Sequence, residues 1–242
     1  MVPLGHNAKR TQMSQNIFSE TVRRDDAVFK VIVHPSPEAS AIIVNYPGYK
    51  GDINGFNNKY RTIGEHLSRA GVGAFIQMPN IVWPDQDYRT SLIADLLKVC
   101  ECARAKAPAI CKSATPDLLL MGFSAGGGAV AGAALKLGAK KILLIAPSGD
   151  AAHDKVTASL AKYTGEVFIT IGENDDTVGG ERTGKAYLDM AKSARSKLLV
   201  VVPNCDHQFR GTENGKIMSK APLWAFAGDT TFPSPDGGLI LY

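Results

Sequence analysis

The sequence predicts an α/β fold, a mostly parallel sheet of eight strands with helices on both faces and no separate cap domain. Three observations carry this. From residue 41 onward, apolar runs of strand length alternate with longer segments whose apolar residues recur every three or four positions. Before them stand two runs rich in β-branched and aromatic residues, separated by four charged ones, the pattern of an antiparallel hairpin. The chain of 242 residues, 45% hydrophobic and 21% charged, suits one domain with a sizeable core. That domain is expected over 17–242, behind a loosely ordered extension at 1–16.

In chain order, residues 18–22 and 27–33 flank Arg23-Arg24-Asp25-Asp26 as the hairpin, and His34-Pro35-Ser36-Pro37 ends it, with His34 in a loop. Residues 41–45, Ala-Ile-Ile-Val-Asn, form a third strand that enters the loop Tyr46-Pro47-Gly48-Tyr49. Tyr60, Ile63, Leu67 and Ala70 share one helical face, closed by Gly71. A strand at 73–78 and a loop with Pro79, Trp83 and Pro84 lead to a helix over 88–105, whose stripe is Leu92, Leu96, Cys100 and Ala103. After Pro116, residues 117–121 read as a strand buried on both faces, and 125–137, rich in Ala, Leu and Gly, as a helix stopped by Gly138. Then come a strand at 141–146, a helix at 151–163, a strand at 166–171, a helix at 181–194 and a strand at 198–202. Residues 147–165 leave room for one helix and none for a lid, so the site is expected to be open. The tail 231–242 has turn residues before an apolar end that can pack on the body or meet a partner, with fraying as its default.

Charge and cysteine usage narrow the function classes. A net charge of +4 with scattered lysines and arginines gives no basic patch for nucleic acid. Cys100, Cys102, Cys111 and Cys205 form neither a disulfide framework nor a metal spacing, so reduced thiols are expected, Cys100 in the core and Cys205 near the site. The first sixteen residues carry no apolar signal-peptide region, and the uncharged run 118–135 changes from strand-like to helix-like midway, with five glycines. Neither a membrane span nor secretion is expected, which points to the cytoplasm.

Gly122-Phe123-Ser124-Ala125-Gly126 joins the strand at 117–121 to the helix at 125–137. Glycines are needed at such a joint because the turn is too tight for side chains, and Ser124 is left at the tip of the sheet. With these residues the sequence resembles the α/β-hydrolase superfamily, whose nucleophile elbow has this strand, motif and helix. The resemblance covers about residues 18–209. It implies Ser124 as nucleophile, followed in chain order by an acid and a histidine. Gly172-Glu173-Asn174-Asp175-Asp176-Thr177-Val178 is similar to the superfamily's acid turn, with Asp175 as the acid, Asp176 a cap for the next helix and Asp150 in reserve. Of five histidines only His207, in Pro203-Asn204-Cys205-Asp206-His207, follows a core strand downstream of Ser124. The backbone amides of Tyr49 and Ala125 are the implied oxyanion donors, although proline at position 47 stands where relatives often have histidine.

Such a site would cleave a small-molecule carboxylic ester or thioester through an acyl-enzyme, with no metal or organic cofactor. Tyr49, Trp83 and Phe123, joined by Ile81 and Val82, are the expected pocket walls. An acyltransferase or peptidase using the same residues, and a non-catalytic small-molecule binder that kept the elbow, stay open as alternatives. A dehalogenase or epoxide hydrolase would carry Asp where this chain has Ser124.

Overall fold

Continuous apolar runs can be satisfied only where both faces of a strand are covered, and the sheet is built around such runs. In the strand Asp117–Phe123 every residue after Asp117 is buried, and in the strand Glu166–Gly172 every residue after Glu166. The structure, a computed structural model, describes residues 16–149 and 153–241. Most of the N-terminal extension and the reserve acid Asp150 therefore lie outside the described residues.

The strands are β1 (Phe18–Arg24), β2 (Ala27–His34), β3 (Ala41–Tyr46), β4 (Ala74–Gln77), β5 (Asp117–Phe123), β6 (Lys141–Ile145), β7 (Glu166–Gly172) and β8 (Ser196–Val202). They form one sheet in the order β1-β2-β4-β3-β5-β6-β7-β8. β1 pairs antiparallel with β2 in full register from Phe18 opposite Val33 to Arg24 opposite Ala27, and β2 antiparallel with β4. All other pairs are parallel. The expected fold class is the one observed, with the hairpin at the edge.

The helices are α1 (Lys59–Arg69), α2 (Tyr88–Ala105), α3 (Ala107–Ile110), α4 (Ala125–Leu137), α5 (His153–Lys162), α6 (Gly180–Met190) and α7 (Thr212–Ala227). Ile63 and Leu67 of α1 pack with Met218, Ala221 and Ala225 of α7 in the core on one face of the sheet. Leu92, Leu96 and Cys100 of α2, the alanines of α4, Leu160 of α5 and Tyr187 of α6 fill the core on the other. α2 starts where Asp87 accepts from the Thr90 amide at 2.9 Å, and α4 stops at Gly138 in the left-handed conformation.

Four expectations are corrected. His34 is not in a loop: it is the last residue of β2, 1% exposed, with Nε2 hydrogen-bonded to the Gln77 side chain. α6 ends four residues earlier than 181–194 implied, at Met190, and is capped by Gly179 rather than Asp176. After β8 the chain adds α7, which holds Pro222 in its interior. Over its described residues, 231–241, the tail does not fray. Phe232 stacks on Trp224 with ring centroids 4.6 Å apart, and the Leu239 amide donates to Ser219 Oγ at 2.7 Å. The ammonium of Lys220 donates to Thr231 Oγ1 at 2.6 Å and the Asp236 carbonyl at 2.9 Å, and Leu241 is buried.

Candidate active site

Between the last residue of β5 and the first of α4 there is room for Ser124 alone, so this one residue makes the turn at φ 53° and ψ −118°. A non-glycine residue there carries about 1–3 kcal/mol of backbone strain, which neighbouring bonds must hold. The Ser124 amide donates to the Ile145 carbonyl at 2.9 Å, and its carbonyl accepts from Ser148 at 3.0 Å and Gly128 at 3.2 Å. Gly126 is required by proximity: a Cβ there would stand 2.2 Å from the Tyr46 carbonyl oxygen and 2.5 Å from that of Pro47. At Gly122 it would stand 2.3 Å from the Gly126 carbonyl oxygen. The elbow thus presses the end of β3 against the start of α4.

β7 and β8 are adjacent and parallel, with Gly172 opposite Val202, so the loops that leave them run side by side. The Glu173 amide donates to the Val202 carbonyl at 2.9 Å and the Asn174 amide to the Cys205 carbonyl at 2.9 Å. Asn204 returns a bond from its amide to Glu173 Oε2 at 3.0 Å. These bonds fix Asp175 relative to His207. Asp175 Oδ1 accepts from the Thr177 and Val178 amides, both at 3.1 Å, which leaves Oδ2 for the imidazole. His207 Nδ1 lies 2.8 Å from that oxygen, and its Nε2 lies 3.1 Å from Ser124 Oγ. An ionised carboxylate can only accept, so Nδ1 carries the proton and Nε2 presents its lone pair to the serine hydroxyl. Asp175 is 2% exposed and His207 8%, while Ser124 opens to solvent.

A cleft of about 340 Å³ opens in front of the serine. Its walls are the loop of Pro47, Gly48, Tyr49, Gly51 and Asp52, then Gly55, Phe56, Lys59 and Tyr60, with Phe123, Ser124, Thr177, His207 and Gln208 completing it. A Cβ on Gly48 would stand 3.1 Å from the Phe123 ring and 3.2 Å from Ser124 Cβ, so the β3 loop runs directly over the elbow. Ala125 is the first residue of α4, where an amide has no acceptor within its own helix.

The structure brings Ser124, Asp175 and His207 together and puts Tyr49 and Phe123 in the same cleft. Trp83 is not in it. Its indole needs an acceptor and finds one away from the cleft, donating to Asp95 Oδ2 at 2.8 Å while its ring packs 6.0 Å from that of Phe29. Ile81 and Val82 are also absent from the walls. Cys205 is fully buried behind the acid turn, outside the cleft, and burial first, then Asp206 and Asp175, push its thiol up to about 12. Lys59 is among the wall residues that sequence reasoning passed over, with Asp52, Phe56, Thr177 and Gln208. It falls four residues before Ile63 and eight before Leu67, on the buried stripe of α1, and that spacing was the available signal. Burial lowers its ammonium to about 8.

Among the described residues no group of three histidine, cysteine or acidic side chains could hold a metal ion, and no helix is long and apolar enough to cross a membrane. No family model matches the sequence, and no curated protein matches it. Solved structures do. Est1E from Butyrivibrio proteoclasticus superposes with a TM-score of 0.67 at 17% identity, over 84% of this chain and 95% of that one. A dienelactone hydrolase from Anabaena variabilis gives 0.67 at 15% identity, over 87% and 98%. The Pyrococcus furiosus esterase Pf2001 gives 0.68 at 12% identity, over 88% and 94%. The chain has the α/β-hydrolase fold.

Proposed function

We propose that this protein is a serine hydrolase that cleaves a carboxylic ester or thioester through an acyl-enzyme on Ser124. The observation that carries the reading is the position of the His207 ring, 2.8 Å from Asp175 at one nitrogen and 3.1 Å from the Ser124 hydroxyl at the other. A serine hydroxyl is a weak nucleophile until a base removes its proton, and the base must be held in one tautomer. His207 Nε2 takes the proton as Oγ attacks the carbonyl carbon. The negative oxygen that forms is received by the amides of Tyr49 and Ala125. The protonated imidazole then gives its proton to the leaving alcohol or thiol, and the acyl group stays on Ser124. Water enters the open cleft, loses a proton to His207 and attacks the ester, which frees the acid and restores the hydroxyl. Asp175 steadies the imidazolium in both halves.

Esterases and dienelactone hydrolases among the structures of the same fold support a hydrolytic reading over other chemistries. The test is labelling with a fluorophosphonate probe together with turnover of short 4-nitrophenyl esters. The native protein is expected to label at one site and turn over, and Ser124→Ala to do neither with its melting temperature preserved. Labelling of the Ser124→Ala variant at the native level would remove Ser124 from the nucleophile's role. A native protein that neither labels nor turns over would favour a binding protein instead.

A further inference from the structure

Lys59 is a charged side chain that the mechanism does not use. It is 4% exposed, at the start of α1, and it lines the same cleft as Ser124 and His207. An ammonium has three protons to donate, and burying one without acceptors is costly. Among the described residues Lys59 has no carboxylate within ion-pair distance, and its hydrogen-bond partner is the thioether of Met218 at 3.9 Å, a weak acceptor. Two aromatic faces supply the rest: the ammonium stands 4.9 Å from the centroid of the Phe123 ring and 5.2 Å from that of Tyr60. The one acidic residue of the cleft wall, Asp52, is exposed at the rim and caps its own turn by accepting from the Asn54 amide at 2.8 Å. The charge of Lys59 is thus held in the wall of a reactive cleft with its strongest bonding capacity unspent.

We propose that Lys59 is the anion-recognition residue of this site and that the substrate is a short ester carrying a carboxylate. The inference rests on the serine-hydrolase reading and supplies its substrate class. The ring of Phe123 sets the scale. It lies 4.9 Å from the ammonium and 5.1 Å from the centroid of the His207 ring, so the two distances together bound the gap between ammonium and base. A substrate spanning that gap has its carboxylate a few bonds from the reacting carbonyl. A charge-assisted hydrogen bond in a partly dry site discriminates against a neutral analogue more strongly than apolar contact does.

The experiment compares two carboxylate-bearing esters with neutral partners of matched size. Mono-4-nitrophenyl glutarate, with the charge on the acyl side, is paired with 4-nitrophenyl pentanoate. 4-Acetoxybenzoate, with the charge on the alcohol side, is paired with its methyl ester. The native protein is expected to prefer the charged member of at least one pair in kcat/KM. In Lys59→Met, and in Lys59→Gln as a second variant, the charged-to-neutral ratio is expected to fall about 10- to 100-fold, mainly through KM. A ratio that Lys59→Met and Lys59→Gln both leave unchanged, or a native preference for the neutral member of both pairs, would overturn the proposal. Glutarate itself gives a readout independent of turnover. It should raise the melting temperature of Ser124→Ala and not that of Ser124→Ala/Lys59→Met; equal effects on both would overturn the anion site. If no ester is hydrolysed but glutarate stabilises the protein only when Lys59 is present, the hydrolase reading fails and the anion site stands.

Discussion

Exchanging Lys59 for methionine is expected to make the protein more stable. Methionine keeps a flexible stem of similar length among Tyr60, Phe123 and Met218 and removes the buried charge. Burial lowers the Lys59 ammonium from 10.5 to about 8. At 1.36 kcal/mol for each pH unit, that gap corresponds to about 3 kcal/mol against the charged form. The sign follows from proton binding. Below pH 8 the lysine is protonated in both folded and unfolded chains, so the full penalty is present. Between pH 8 and 10.5 the unfolded chain holds more of the proton, so the native protein's stability rises with pH and the penalty fades. Lys59→Met should therefore exceed the native protein by about 3 kcal/mol at pH 7, a shift of roughly 6–12 °C in melting temperature for a chain of this size. The advantage should shrink towards zero by pH 10.5. The assay is urea unfolding of both proteins at pH 7, 8.5 and 10.5, followed by circular dichroism. A difference below 1 kcal/mol at pH 7 would show that cleft water solvates the ammonium; that result, or a difference that does not change with pH, would sink the reasoning.

Other outcomes follow from the same geometry. Asp175→Asn should lower ester turnover by about four orders of magnitude with little change in KM, because the amide no longer enforces the tautomer that leaves Nε2 free; a fall of less than tenfold would count against the residue. Gly126→Ala puts a methyl 2.2 Å from the Tyr46 carbonyl oxygen and should cost at least ~3 kcal/mol or prevent folding, read from soluble yield and thermal melting. Trp83→Phe leaves Asp95 without its indole donor and should cost about 1–3 kcal/mol, with kcat/KM unchanged because the ring is outside the cleft. Cys205 should resist iodoacetamide in the native state at pH 8, since its thiol is fully buried and pushed up to about 12; rapid alkylation would contradict the packing of the histidine loop.

The inner strands were legible in the sequence because strands covered on both faces must be continuous apolar runs; β8 is such a run too, read as a core strand, yet it lies at the sheet edge with Leu198 exposed. Helix ends were less legible. Gly179 caps α6 where Asp176 had the better side chain for it, and α7, with Gly215 and Pro222 inside, has no clean periodicity to read. The meeting of Ser124, Asp175 and His207 could be anticipated because each follows a strand end and strand ends lie on one rim. The cleft walls could not. Whether an aromatic side chain near the rim turns inward depends on where its polar atom finds a partner: Asp95 draws Trp83 away. Lys59 is the converse case. A lysine is read as solvated by default, and only its place on the buried stripe of α1, against residues distant in the chain, turns it into a wall.

The hydroxyl, imidazole and carboxylate depend on β5, β7 and β8, three strands of one sheet that β6 joins. Tyr49, Phe56 and Lys59 belong instead to the stretch from the end of β3 to the first turn of α1, which crosses the front of the cleft. Much of the wall is therefore carried by a different piece of chain from the ones that hold Ser124, Asp175 and His207, with Phe123, Thr177 and Gln208 added from the strand ends. Grafting a foreign stretch in place of residues 49–58 would reshape that part of the wall while Ser124, Asp175 and His207 keep their spacing.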